Sequence, residues 1–501
     1  MLRTVCGLDI GTTRCKAVVV DENGNLISFA SSEYAVLMPE PGYAEQDVAD
    51  VWEAVISCLA KVVDTIPRGF TAPEAIGLSV QGEAVIPISS DGTPLRNAIL
   101  GMDTRTHKEN ELIKRRFGEK WIYKHTGQPI HTVNSLPKIL WIKRNEYDIW
   151  RKTYKFMLYE DYMGFMLTHN WTTSISHCLA SRTQLYDLHR ASWSEAILRW
   201  LNIRPERFSE PKPTGHVVGY VRDEVARKIG LDNKPLVVLG GHDQACAALG
   251  AGIVNPGDVL ISTGTAEVLL LVSDKPVLDM RLAKANISCY FHVVPNLYLN
   301  MALNHCGGIT LQWLRNIIAP DMPYEAMLAD LPANPTGLLF YPYLSGSGSP
   351  WPTTSAKGMI WGLTFATHKK DLTKALLEGL CFELKANIEL LSNVGLPVEK
   401  PIRVVGGGAK SPEWNQLKAN ILNLPVQILQ YTDTAPLGAA IIAGKVTGMF
   451  NSITNISARV NNVVQTLHPN VEIVQKYLEY WNLYKQIRQA TYGSPKLAKK
   501  L

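Results

Sequence analysis

The eight cysteines of this chain form no CxxC pair and no other metal-ligand spacing, so they read as reduced, mostly buried thiols of a cytosolic protein. No apolar stretch reaches the roughly 18 residues needed to cross a bilayer. Arg3, Asp9, Arg14 and Lys16 leave no room for a secretory h-region in the first thirty residues. Charge of one sign is scarce as well. The net charge is only +5 over 501 residues, and clusters such as Lys114-Arg115-Arg116 are short enough to be solvated helix faces. Nucleic acid and membrane are therefore not expected partners. What is there is ordinary for a globular enzyme: 46% apolar and 19% charged residues, in a chain too long for a single core.

The most informative feature is an internal repeat. Leu8-Asp9-Ile10-Gly11-Thr12-Thr13 recurs in altered form as Ile261-Ser262-Thr263-Gly264-Thr265-Ala266, at an offset of 253 residues, half the chain. Each copy lies between two short apolar runs, and Asp21 aligns with Asp274 at the same offset. Two strand–turn–strand units with Gly-Thr tips suggest two related lobes facing each other across a nucleotide. Glycine lets backbone N–H groups approach phosphate oxygens, and the threonine hydroxyl adds a neutral donor. Only the first copy keeps a carboxylate, Asp9, where a magnesium ion would sit. Two ordinary glycine-containing hairpins would give the same pattern.

Around these repeats the chain alternates strand-like and helix-like runs. Val48 to Val63 reads as an amphipathic helix, and Leu136 to Ile142 and the segments flanking Asp161-Tyr162 also look helical. Ala75 to Val80 reads as a buried strand ending at Gln81-Gly82-Glu83, and Pro235 to Leu239 as one that stops at Gly240-Gly241-His242-Asp243. Pro401 to Val405 is a third, ending at Gly406-Gly407-Gly408. In the Asp371–Leu391 run, Lys374 with Glu378 and Lys385 with Glu389 have the spacing of a supported exposed face. The expected domains are 1–250, 251–490, and a basic tail over 491–501.

The motifs resemble those of the FGGY carbohydrate kinases over about Val5 to Lys485. The most diagnostic stretch is Gly358-Met359-Ile360-Trp361-Gly362-Leu363, followed by Asp371-Leu372 and Ala375-Leu376-Leu377-Glu378; Leu376 departs from the smaller or β-branched residue usual there. Asp9-x-Gly11-Thr12-Thr13, Gln81-Gly82-Glu83, Asp103-x-Arg105-Thr106, Gly240-Gly241-His242-Asp243, Ser262-x-Gly264-Thr265, Gly406-Gly407-Gly408-Ala409 and Pro436-Leu437-Gly438-Ala439-Ala440 follow in order. The resemblance implies an α/β fold of two duplicated ribonuclease-H-like, actin-like ATPase domains with a cleft between them. It also implies ATP-dependent phosphorylation of a sugar hydroxyl, and a homodimer. An actin-like nucleotide switch and a catalytically silent sugar sensor are the alternatives.

A sugar kinase must deprotonate a hydroxyl and hold the γ-phosphoryl group in line with it. Asp243 is the candidate base, following a buried strand and two glycines, although an Asp there could equally cap the next helix. The resemblance places the catalytic carboxylate at Asp243. Asp9, with Asp243, would hold magnesium largely through water. Thr12, Thr13, Gly264 and Thr265 are expected at the phosphates; Gly308, Gln312, Gly407, Gly408 and Ala409 are expected at the adenosine. Trp313 is expected in the core. Lys410 is no Walker lysine, since the preceding glycine is missing.

Gln81, Gly82, Glu83 and Asp103, with Asp243, would form the sugar site. Gly82, Gly101 and Val133 stand where glycerol kinases have Arg, Trp and Tyr, which enlarges the site towards a ketopentose, ketohexose or related polyol or sugar acid. The xylulokinase Met-His pair is absent, so D-xylulose is one candidate among several. Ser345-Gly346-Ser347-Gly348-Ser349-Pro350 reads as a mobile loop near the cleft.

Overall fold

Buried Val, Leu and Ile side chains dominate Thr4–Ile10 (β1) and Arg14–Asp21 (β2), which pair antiparallel around the Gly11-Thr12-Thr13 tip. In this computed structural model, which describes residues 1–493, that hairpin is the centre of a six-stranded sheet. The others are β3 (Leu26–Glu33), β4 (Ala75–Val80), β5 (Val217–Tyr220) and β6 (Leu236–His242), in the order β5-β6-β4-β1-β2-β3. β4 runs parallel to both β1 and β6, while β5 closes the edge antiparallel.

The second sheet contains β7 (Val259–Thr263), β8 (Glu267–Ser273), β9 (Ser288–Phe291), β10 (Tyr298–Asn304), β11 (Ile402–Val405), β12 (Val426–Leu429) and β13 (Val463–Leu467). Its order is β9-β10-β8-β7-β11-β12-β13, with β7, β11 and β12 mutually parallel and β13 antiparallel. From β10 onward this repeats the first sheet strand for strand. Here β7 takes the place of β1, β11 of β4 and β12 of β6; β9 is an added edge strand.

The helices that bear on the site are α1 (Val48–Asp64), α2 (Ser135–Asn145), α3 (Tyr159–Thr168), α4 (Asp243–Gly250), α5 (Gly308–Ile318), α6 (Lys369–Asn393), α7 (Pro412–Leu422), α8 (Thr434–Val446) and α9 (Val471–Tyr492). Their starts follow local chemistry. The Asp47 carboxylate accepts from Ala49 N–H, and the Ser411 hydroxyl accepts from Trp414 N–H ahead of Pro412. α4 and α8 follow equivalent strands and cross each other at glycines. A Cβ on Gly438 would lie 2.0 Å from the carbonyl oxygen of Cys246, and one on Gly250 would lie 2.0 Å from that of Thr434. α8 also lies against β1 and β4 through Gly7 and Gly77. One apolar cluster thus joins Val5, Val18 and Val20 to Leu437, Ala440 and Ile441.

Several expectations need correction. β6 does not stop before Gly240 but continues through His242, with a register shift between Leu239 and Gly241. The bulge arises where a missing side chain lets the Leu78 carbonyl come within 2.1 Å of the position a Cβ would take on Gly240. Lys374 and Glu378 form a 3.6 Å ion pair, as spaced, but both are buried, so that stretch of α6 is interior and not an exposed face. Ser347 and Ser349 are buried too. The Ser349 N–H donates to Leu303 O, and its hydroxyl donates to Asn286 O at 3.1 Å, so the serine-glycine segment is packed in place. Trp313 is 38% exposed and meets Phe340 edge-on, because α5 turns that face outward. Thr491 and Tyr492, assigned to the basic tail, end α9; the tail from 494 onward lies outside the described residues.

Candidate active site

The first hairpin tip is held from below by Gln81, at the end of β4. Gln81 Nε2 donates to Gly11 O (3.2 Å) and to Gln46 Oε1 (2.9 Å), and Gln46 in turn donates to Thr12 O. Asp9, on β1, accepts from the Ser79 hydroxyl at 2.6 Å. Burial, with the nearby charge of Asp433, pushes the Asp9 carboxyl up to about 6, against the opposing pull of that hydroxyl and of Lys16. Lys16 reaches across the cleft from β2 to pair with Asp433, the residue ahead of α8.

Asp243 is the first residue of α4 and directly follows β6. It lines a cavity of about 190 Å³ together with Thr12, Gln81, Gly82 and Glu83 from the first half, and Asn286, Ser288, Met301 and Leu303 from the second. Asp243 Oδ1 accepts from Gln244 N–H at 2.6 Å and lies 3.2 Å from His242 Nε2. Oδ2 takes no hydrogen bond from the described residues, so one oxygen is occupied by the next N–H and the other is free for a ligand. Burial and the charges of Asp9 and Glu83 push this carboxyl up to about 8. His242 is buried and held well below its ordinary pKa by desolvation and by Arg182, so the ring is neutral. The Tyr290 hydroxyl lies 3.2 Å from Nδ1, which leaves Nε2 as the ring nitrogen turned towards Asp243.

Glu83 is buried, and its backbone sits in the left-handed region at φ 60. Arg182 Nε donates to its Oε1 at 2.7 Å, and Arg182 NH1 donates to Ser288 Oγ at 2.6 Å on the second sheet. The same guanidinium lies 4.7 Å over the Tyr290 ring. Gly82 has no room for a side chain, since a Cβ would sit 2.9 Å from the His242 ring. Asp103 is not brought to the cavity. It is fully buried, and its oxygens accept from Arg105 and from Ala44 N–H (2.7 Å), so it braces the wall behind Gly101.

The nucleotide candidates converge on the second hairpin tip. Gly308 N–H donates to Gly264 O at 2.8 Å and Ile309 N–H to Thr265 O at 3.3 Å, which seats the start of α5 on the β7–β8 turn. Gly406, at φ 80, brings its loop against Thr263, where a Cβ on Gly408 would lie 2.6 Å from the Thr263 side chain. Gly407, Gly408 and Ala409 form the short 3-10 turn that follows. Gln312 is exposed one turn along α5. Gly406 N–H donates to Thr432 O, next to Asp433, so the Lys16 contact links this loop to the first hairpin. Thr13 lies at the first tip, beyond the cavity lining.

Among the described residues no cluster of three or more metal-ligating side chains occurs. The charge of Asp9 nevertheless raises the pKa of Asp243, so two carboxyl groups lie close together where a hydrated divalent cation would be welcome. Sequence reasoning missed Arg182, Lys138, Lys16 and Gln244. Arg182 had a signal: it is the one Lys, Arg, Asp or Glu between Asp161 and Asp187. Lys138 had none, because it sits unmarked in the helical Leu136–Ile142 run.

A duplicated ribonuclease-H-like core, with an acid at the crossing of its halves and glycine-tipped hairpins on either side, defines an actin-like phosphotransferase. Residues 4–250 match the N-terminal domain of the FGGY family of carbohydrate kinases and residues 259–446 its C-terminal domain. The chain belongs to the FGGY family of carbohydrate kinases. It is 31% identical to a xylulose kinase of Bacillus subtilis over 97% of each chain, and 29% identical to a gluconokinase of the same organism over 91% of this chain and 90% of that one. Among solved structures it resembles a gluconate kinase from Lactobacillus acidophilus, with a TM-score of 0.90, 26% identity and 98% of each chain covered. The enzyme phosphorylates a sugar at the expense of ATP, and the switch and silent-sensor alternatives are not favoured.

Proposed function

We propose that the acceptor is a neutral ketose or polyol, and that Asp243 is the general base for its phosphorylation. The observation that carries this reading is the unshared Oδ2 of Asp243 in a cavity walled by Gln81 and Glu83. Proton transfer from the sugar hydroxyl to that oxygen frees the hydroxyl oxygen to attack the γ-phosphorus, and the bond from that phosphorus to ADP breaks. His242 Nε2, 3.2 Å from Oδ1, packs against the carboxylate and holds it in place while Oδ2 faces the sugar. A bound magnesium ion, for which Asp9 and Asp243 are the residues at hand, would neutralise phosphate charge. Thr12, Thr13, Gly264 and Thr265 provide hydroxyl and backbone donors for the phosphates, and Gly308, Gln312 and Gly407 to Ala409 flank the adenosine.

Neutrality of the sugar follows from charge. The acids lining the cavity are Glu83 and Asp243, and its one arginine, Arg182, is already engaged by Glu83. Burial holds His131, also on the wall, at about 4, so that ring is uncharged. A sugar acid would bring a third carboxylate to a cavity whose lining holds no unspent cation. The same reading takes residues 1–250 and 251–490 as the two domains. It also takes the protein to be a cytoplasmic homodimer, which the eight free, buried thiols suit as regards compartment.

The test is ADP release with D-xylulose, D-ribulose, D-fructose, xylitol, glycerol and D-gluconate. A neutral ketose or polyol should give the highest kcat/KM; a preference for D-gluconate overturns the charge argument. Asp243→Asn should keep sugar binding by calorimetry while kcat drops by at least about 10²–10⁴-fold. Near-normal turnover in that variant removes Asp243 as the base.

A further inference from the structure

Lys138 is completely buried on α2, and no carboxylate among the described residues lies within ion-pair distance of it. Its ammonium donates to two backbone carbonyls, Glu83 O at 3.0 Å and Val133 O at 2.6 Å. Ser135, one turn earlier on the same helix, donates its hydroxyl to the same Glu83 carbonyl at 3.1 Å. Desolvation brings the lysine down to about 7, which marks how much hydration it has given up.

The two carbonyls belong to two residues that line the sugar cavity from different segments of the chain. Glu83 follows β4 and Val133 lies in the loop that leads into α2, and both line the cavity. Glu83 needs support more than most residues, because a non-glycine side chain at φ 60 is strained and persists only when its surroundings hold it. Arg182 holds the Glu83 carboxylate from one side, while Lys138 and Ser135 hold its carbonyl from the other. Glu83 Oε2 remains directed towards the cavity, 3.4 Å from where a Cβ on Gly101 would be.

We propose that Lys138 is a positioning residue for the sugar. It fixes the left-handed backbone of Glu83 and sets that residue's distance from Val133, so the Glu83 carboxylate meets the sugar in one orientation. The proposal rests on the reading of Glu83 as a sugar contact. It assigns Lys138 no contact with sugar, nucleotide or metal, so the effect of losing it falls on sugar affinity and not on the phosphoryl-transfer step.

The experiment measures both KM values, kcat and thermal midpoint for Lys138→Met, Ser135→Ala and Glu83→Gln, using the neutral substrate of the panel above with the highest kcat/KM. Lys138→Met should raise the sugar KM at least tenfold, with the ATP KM and kcat within threefold of wild type. Ser135→Ala should shift the sugar KM in the same direction by two- to fivefold. A merely structural lysine would lower the thermal midpoint and leave the sugar KM within twofold, which overturns the proposal. If Lys138→Met does not fold, Ser135→Ala decides by the same criterion, since it removes a donor from the same carbonyl. Glu83→Gln separates the two failures. An unchanged sugar KM there removes Glu83 as a contact, and the proposal with it; a raised one, beside an unaffected Lys138→Met, removes only the role of Lys138.

Discussion

Glu160 lies on α3 beneath β6 with no exposed surface, and one of its oxygens accepts from both the N–H and the hydroxyl of Ser176 at 2.8 Å. The other makes no full hydrogen bond among the described residues, although the Gly240 backbone lies near enough to favour its charged form. Burial lifts this carboxyl to about 8 despite those two bonds, and the neighbouring Asp161 is lifted to about 7 for the same reason. The sign of the resulting pH dependence follows from proton counting. Between about 4.5 and about 8 the folded state keeps the Glu160 proton while the unfolded state gives it up, so stability falls as pH rises through that window. Glu160→Gln keeps the acceptor for Ser176 and has no proton to lose. Its thermal midpoint relative to wild type should therefore climb from pH 5 to pH 8, corresponding to about 2 kcal/mol once relaxation around the site is allowed for. A difference that stays level across that range would mean Glu160 is ionised in the folded protein.

At the scale of elements, the α4–α8 crossing decides how the site is assembled, because Asp243 opens α4 and Asp433 precedes α8. The helices approach so closely that backbone faces backbone. A methyl group on Gly438 would be 2.0 Å from Cys246 O and 2.8 Å from its carbonyl carbon, neither of which can swing aside. Gly438→Ala should lower the denaturation midpoint by the equivalent of about 3 kcal/mol, the upper part of the range for overpacked positions, and should lower kcat by displacing the start of α4. An unaltered urea midpoint would show that the helices can slide apart at little cost. The glycine itself was visible in the sequence as part of Pro436-Leu437-Gly438-Ala439-Ala440, as were both hairpins and the three buried strands, because runs of Val, Ile and Leu between glycines report local structure directly. What those runs could not report was which distant carbonyl or side chain comes to meet each residue. Asp103 carried a family motif, yet it bonds Arg105 and the Ala44 N–H and not the cavity. Lys374 and Glu378 had surface spacing and proved buried, since helix periodicity alone does not say that a second layer, here with Tyr477 of α9, covers that face.

For the whole molecule, the apolar cluster shared by Val5, Val18, Val20, Leu437, Ala440 and Ile441 bears on whether the halves are separate folding units. The sequence repeat suggests two self-sufficient domains, each with its own sheet. Their cores are not self-contained, however. α8 belongs to the second half by sequence but covers β1 and β4 of the first, where Gly7 and Gly77 receive the carbonyls of Pro436 and Ala439. Removing the second half would expose that surface together with parts of Ala245, Ala248 and Leu249 of α4, which share one apolar cluster with α8. Burial of apolar surface is worth about 25 cal/mol per Å², so losing a helix-sized contact costs several kcal/mol, comparable to the whole stability of a typical domain. Residues 1–250 expressed alone should therefore be insoluble or should bind a hydrophobic dye strongly. The full chain should unfold in one calorimetric transition, whose van't Hoff enthalpy approaches the calorimetric one if unfolding is reversible. Two resolved transitions, or a fragment 1–250 that melts cooperatively by itself, would show that the α8 contact fastens two domains already stable apart, and the cleft would then be set by a docking equilibrium and not by a common core.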